Sequence, residues 1–158
     1  MPAIADRRAL PRTGIARAKQ FIIIASEFNP AITRALIRGA SHVLRRHGAS
    51  VRNIRVLWVP GAFELPVVAA RVVARRPRPD AVIAVGAILR GETPHYEVLA
   101  HAVAQGLSQV AVTSTIPVTF GVVVAQTMAQ AKARAGGAMG NRGAEAALAA
   151  LAVLRLFQ

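Results

Sequence analysis

With 158 residues, 54% of them hydrophobic, the chain has the size of one domain and enough apolar side chains to bury a sizeable core, which excludes a disordered tail. It contains no cysteine, which excludes disulfides, thiolate metal sites and cysteine nucleophiles and fits a reducing compartment. A formal net charge of +13 would ordinarily suggest a polyanionic partner, but the arginine pairs at 7–8, 45–46 and 75–76 are scattered and no aromatic residue interleaves with them, so they read as solvated helix faces.

Residues 1–19, MPAIADRRALPRTGIARAK, are basic and lack the continuous apolar segment of a secretory signal; they are expected to form a flexible N-terminal segment ahead of a single domain at 20–158. No later run reaches membrane-spanning length, so the chain reads as soluble and cytoplasmic. Gln20 to Ser26, QFIIIAS, is a short apolar run stopped by Asn29-Pro30 and predicts a buried strand. From Pro30 the period changes: Ile32, Ala35, Leu36, Ala40, Val43 and Leu44 recur at helical spacing until Gly48. Asn53 to Val59 predicts a second strand, Pro60-Gly61 a break, and Phe63 to Ala74 a second helix. Ala81 to Leu89 is the most uniformly apolar strand, followed by a helix expected from about Pro94 to Gln105, before Gly106. Ile116 to Val124 predicts a fourth strand; two helical stretches, about Thr127 to Ala135 and Asn141 to Leu156, flank GGAMGN at 136–141.

Strand and helix alternate four times with strands apolar throughout, which predicts a three-layer α/β/α sandwich around a four-stranded parallel sheet. In such sheets ligands bind beyond the carboxyl ends of the strands. The informative residues are therefore Phe28-Asn29 after the first strand, Pro60 to Glu64 after the second and Arg90 to His95 after the third. After the third, Gly91 would permit a turn, and the amides of Glu92, Thr93 and His95 at a helix N-terminus would favour an anion. Thr93 could equally cap the helix that Pro94 starts, and the two roles are compatible. A protonated imidazole is disfavoured near the positive end of a helix dipole and a neutral one suits proton transfer near pH 7, which makes His95 the candidate acid–base group. His42 and His47 are expected to face solvent, and His101 lies off the face of His95. No histidine pair has metal-ligand spacing and no carboxylate cluster is present, so no metal is expected. The GxGxxG and GxxxxGK[ST] patterns are also missing, and Ser26, Ser108 and Ser114 lie in no nucleophile elbow.

Five blocks, FNPAIT at 28–33, WVPGAFELP at 58–66, VGAILRGETPHYE at 85–97, PVTFGVV at 117–123 and GNRGAEAA at 140–147, stand in the order and approximate spacing of the lumazine synthase family, which the chain resembles from about residue 20 to its end. The resemblance implies a flavodoxin-like fold and the penultimate step of riboflavin biosynthesis. There, 5-amino-6-(D-ribitylamino)uracil and 3,4-dihydroxy-2-butanone 4-phosphate give 6,7-dimethyl-8-ribityllumazine, phosphate and water, with no cofactor.

The resemblance implies that Phe28 stacks on the pyrimidine and that Ala62, Phe63 and Glu64 bind the ribityl chain and ring. Ala87, Ile88 and Leu89 would continue the pocket, Glu92 and Thr93 would form the phosphate loop, and His95 would transfer protons. Phe120 and Arg134 would come from a neighbouring subunit, over the ring and on the phosphate. The alternative for Phe28, Phe63 and Phe120 is core packing.

Arg142 stands where many members have lysine; it keeps the charge but changes the geometry of a phosphate contact. Glu97 replaces a frequent aspartate and is a candidate to orient His95. The family also implies a homopentamer, or an icosahedral shell of pentamers. The short GGAMGN turn favours the shell, and Pro11, lacking an NH for strand addition, opposes it. No specific nucleic-acid partner and no membrane are expected. A noncatalytic flavin or lumazine binder would need neither His95 nor Arg134, and a polyanion-binding assembly protein would show steep salt dependence.

Overall fold

The computed structural model describes residues 14–157. Strands β1 (Phe21–Ser26), β2 (Ile54–Val59), β3 (Ala81–Leu89) and β4 (Val118–Ala125) form one sheet in the order β2-β1-β3-β4, with every pair parallel. Five helices connect or follow them: α1 (Pro30–Arg46), α2 (Leu65–Ala74), α3 (His95–Ser114), α4 (Met128–Ala133) and α5 (Arg142–Leu156). The expected three-layer α/β/α sandwich with a four-stranded parallel sheet is what the chain forms.

Each face of the sheet has its own core. On one side Ile23, Ala25, Ile83, Val85 and Val123 pack against Leu36 and Leu44 of α1 and Ala147 and Leu151 of α5. On the other, Ile24, Val82, Ala84 and Val122 pack against Leu65 and Ala69 of α2 and Val103 and Leu107 of α3. The alternation follows from the strand period of two. All of β3 but Leu89 is buried, which explains its unbroken apolar run. Fully burying a leucine such as Leu36 or Leu44 contributes about 1.5–3 kcal/mol, so α1 is held by its apolar stripe more than by its caps.

Several boundaries differ from the sequence reading. The helix expected to stop before Gly106 continues to Ser114, because Gly106 is where α3 crosses α2: a Cβ there would stand 2.8 Å from Pro66 Cβ. The glycine serves a close helix approach and not a helix end. The second helix is preceded by a 3-10 turn at Ala62–Glu64, and β4 starts after Pro117. The turn at GGAMGN contains two short antiparallel strands, β5 (Ala135–Gly137) and β6 (Gly140–Asn141). His42 is exposed as expected, but His47 is half-buried with its Nδ1 2.8 Å from the Val43 carbonyl oxygen. Residues 14–19 pack onto the domain, with Ile15 and Ala16 buried and the Ala16 NH donating to the His47 carbonyl at 3.0 Å. The rest of the N-terminal segment, residues 1–13 with Pro11, lies outside the described residues.

Candidate functional site at the carboxyl ends of β1 and β3

The strand order makes the site. From β1 the chain crosses outward to β2, and from β3 it crosses the opposite way to β4, so the β1 and β3 exits diverge and leave a crevice between them. The β1 exit carries Glu27, Phe28 and Asn29; Asn29 adopts a left-handed conformation (φ 53°) that asparagine tolerates, and Pro30 opens α1. The buried Thr33 hydroxyl donates to the Phe28 carbonyl at 3.2 Å, which pins the loop while leaving the Phe28 ring 69% exposed. On the β2 exit the Glu64 carboxylate accepts the Gly61 NH at 2.8 Å, and the Phe28 ring lies beside the same glycine. Ala62 is buried beneath this turn, whereas Phe63 is 64% exposed.

Phe28, Phe63 and Phe120 are all exposed, which overturns core packing for the three. An exposed phenylalanine leaves about 1.5–3 kcal/mol of burial unrealised, so three of them mark surfaces that something else covers. Phe120 is set apart from the other two. It pairs with Ala84 in the amino half of β4, five residues before the carboxyl end of β3, or about 17 Å along the strands. The fold does not bring it to the crevice of its own chain.

At the end of β3, Ala87 and Ile88 are buried, one in each core, and Leu89 is half-buried against the core of Ala87. Beyond them Arg90 to His95 are exposed, anchored by the Arg90 NH donating to the Ala125 carbonyl at 2.9 Å. Gly91 does not serve the turn in the way its sequence position suggests. Its φ is not positive, and a Cβ at that position would meet nothing within 4 Å. Of the amides expected to face outward, that of His95 donates to the Thr93 hydroxyl at 3.4 Å; Pro94 occupies the N-cap of α3 without a side-chain bond, so Thr93 ties down the preceding turn and is not the helix cap. His95 is the first residue of α3, with its side chain in solvent.

Glu97 is not joined to His95 by a hydrogen bond among the described residues; its carboxylate accepts from the Tyr96 phenol at 2.9 Å. That bond, with partial desolvation and the negative charge of Glu97, holds the phenol above its ordinary pKa, while the nearby Arg90 charge pulls it down.

Arg134 follows the last turn of α4, half-buried, and its carbonyl accepts the Arg142 NH at 2.9 Å. The Arg142 guanidinium is committed to Glu145 one turn along, at 2.6 Å. The rest of its block serves packing. The Asn141 carboxamide oxygen caps α5 by accepting the Ala144 NH at 3.0 Å, while its nitrogen donates to the Ala35 carbonyl at 3.0 Å. Gly143 lies directly against the Leu36 carbonyl of α1.

Ser26, dismissed as a nucleophile, is the last residue of β1 and lies against Gly86 of β3. It is fully buried, with its hydroxyl unpartnered among the described residues, and it fits only because residue 86 is glycine. The lone glycine inside the apolar β3 run was the available sequence signal. Among the described residues no group of three or more His, Cys, Asp or Glu side chains is gathered for a metal, and no helix is long and apolar enough to cross a membrane.

The chain is an α/β sandwich with a topological switch point between β1 and β3, the place where such sheets hold small molecules, and the loops around it carry exposed aromatic faces, a carboxylate and a helix-terminal histidine. The family profile described as 6,7-dimethyl-8-ribityllumazine synthase matches residues 18–158. Relatives bearing that name include one from Gemmatimonas aurantiaca, 48% identical over 139 residues, which cover 88% of this chain and 84% of the relative. One from Leuconostoc mesenteroides is 41% identical over 140 residues, covering 89% of each. One from Thermus thermophilus is 43% identical over 143 residues, covering 90% of each. The chain belongs to the 6,7-dimethyl-8-ribityllumazine synthase family, and it is a transferase of riboflavin biosynthesis. It condenses 5-amino-6-(D-ribitylamino)uracil with 3,4-dihydroxy-2-butanone 4-phosphate, releasing phosphate and water.

Proposed function

We propose that this condensation takes place in the crevice between the ends of β1 and β3, in the cytoplasm, and that each crevice is completed by a neighbouring copy of the chain. The observation that carries the reading is the pair of exposed rims, Phe28 on one side and Glu92 to His95 on the other, across the switch point. Phe28 stacks on the pyrimidine, the Ala62 and Phe63 main chain with the Glu64 carboxylate holds the ring and ribityl chain, and Ala87, Ile88 and Leu89 form the wall. Glu92, Thr93 and the neighbour's Arg134 hold the phosphate, with Arg142 as an auxiliary positive charge, and the neighbour's Phe120 covers the ring. Phe120 supports the shared site, being both exposed and far from its own crevice.

With both substrates held, the pyrimidine amine attacks the ketone carbonyl and water leaves to give an imine; phosphate is then eliminated, and the ribityl-bearing amine closes the ring on the carbonyl so formed with loss of a second water. Most of the rate comes from proximity. His95 moves protons at the carbinolamine and imine stages. The assembly is a pentameric ring or a shell built from such rings; the short turn carrying β5 and β6 favours the shell.

Lumazine formation by purified protein, followed by absorbance alongside sedimentation, tests the reading. Phe28→Ala and Phe120→Ala should each cut activity, and dissociating and reassembling the two weakened variants together should restore part of it, because some sites would then pair an intact Phe28 with a neighbour's intact Phe120. Mixtures no more active than their components, or a fully active monomer, would overturn the shared site.

A further inference from the structure

The fold gathers at one end part of the positive charge that the sequence spreads along the chain, while Arg90, Lys132, Arg134 and Arg142 lie at the other. In a parallel sheet with crossover helices, strands begin and helices end at one end of the molecule. That end exposes Arg45 and Arg46 in the last turn of α1, Arg52 before β2, and Arg75, Arg76 and Arg78 between α2 and β3. None of the six is in an ion pair among the described residues. Asp80, the one described carboxylate at this end, is occupied: Lys19 lies 3.6 Å from it and the Gln20 NH donates to it at 2.7 Å. The other described carboxylates, Glu27, Glu64, Glu92, Glu97 and Glu145, all follow strands or open helices at the opposite end. Compensation of a helix dipole accounts for Arg45 and Arg46 and for Arg75 at the end of α2, but Arg52, Arg76 and Arg78 lie at no α-helix terminus.

We propose that this end of the sheet, remote from the crevice, is a sequence-independent binding surface for the phosphate backbone of nucleic acid. Guanidinium forks match phosphate oxygens bidentately, and arginines spread over a whole face suit a long polyphosphate crossing it. Val51, Leu156 and Phe157 are also exposed at this end, but the six unpaired guanidiniums outnumber them, so phosphate contacts and not insertion into a bilayer dominate the surface. The surface stands independently of the active-site assignment.

The test uses full-length protein freed of nucleic acid, a labelled single-stranded RNA of mixed sequence, and vesicles containing phosphatidylserine, over a salt series from about 50 to about 200 mM. RNA should bind with an affinity between about 1 and about 100 micromolar that falls steeply with salt. Arg75→Gln/Arg78→Gln should weaken binding several-fold and lower the salt slope by about 1.4, since each neutralised phosphate of a single strand contributes about 0.7. Arg34→Gln/Arg38→Gln, the same charge change on the outer face of α1, should alter binding less than about two-fold. Lumazine formation should be unchanged in both. Equal weakening by the two pairs, binding to vesicles without RNA, or no RNA binding at about 100 mM salt would each overturn the proposal. Should either pair fail to fold, crosslinking of RNA to the unaltered protein decides: adducts at 45–52 and 75–78 support the surface, and adducts elsewhere sink it.

Discussion

Arg90 to His95 and Gly140 to Ala147 lie at the same end of the sheet and carry the family resemblance with similar clarity, yet they are held in opposite ways. The first is a loop whose side chains are all exposed and whose glycine meets nothing. In the second, the Asn141 side chain bonds two helices, Gly143 abuts the Leu36 carbonyl and Ala146 and Ala147 are buried. A recurring motif therefore marks either chemistry or close packing, and exposure tells the two apart. Substitutions in the first should change rate and leave folding intact; substitutions at Asn141 and Gly143 in the second should do the reverse.

The largest separation is expected from His95→Ala. Turnover should fall by about 10- to 1000-fold, the low side of acid–base catalysis because the attacking amine is already nucleophilic, with measurable activity remaining and the unfolding midpoint unchanged. Complete loss of activity in a folded, assembled protein would contradict a reaction driven mainly by proximity.

Gly143→Ala sharpens the other side. The new methyl group has only the backbone of α1 to displace, and it should cost about 1–3 kcal/mol, read as a lower denaturation midpoint at fixed protein concentration. An unshifted midpoint would mean that the α1–α5 crossing is not close-packed.

Arg134→Ala should raise the Michaelis constant of the phosphate-bearing substrate about tenfold, the worth of a charge-assisted hydrogen bond, and leave that of the pyrimidine substrate nearly unchanged. Equal weakening of both would remove Arg134 from the phosphate site.

The smallest effect concerns Tyr96, the only tyrosine in the chain, whose phenolate absorbance reports a single group. Its raised pKa means that folding favours the neutral phenol. The stability this contributes is fully present below the unfolded value of 10.0 and is lost as pH rises through the higher folded value. Glu97→Gln should bring the titration back toward that of free tyrosine. An unmoved titration would show that Glu97 does not hold the phenol.

By itself the sequence determined the alternation of strands and helices, because periods of two and 3.6 follow from backbone geometry and leave an apolar trace wherever a face is buried. Ala81–Leu89 was legible to the residue, being apolar on both faces. The family was legible too, since its blocks sit at strand ends that local pattern locates. What local pattern could not show was contact between distant segments. Gly106 looks like a helix stop until Pro66 is seen against it, and Ser26 looks ordinary until Gly86 makes room for its hydroxyl. Phe120 joins the other two phenylalanines in the motif set, but only the strand register shows it to lie about 17 Å from the crevice of its own chain. Arg45, Arg46, Arg52, Arg75, Arg76 and Arg78, scattered in sequence, meet at one end because the crossovers bring the chain back to where the next strand begins. Closeness and exposure are properties of the folded chain, and only tertiary structure decides them.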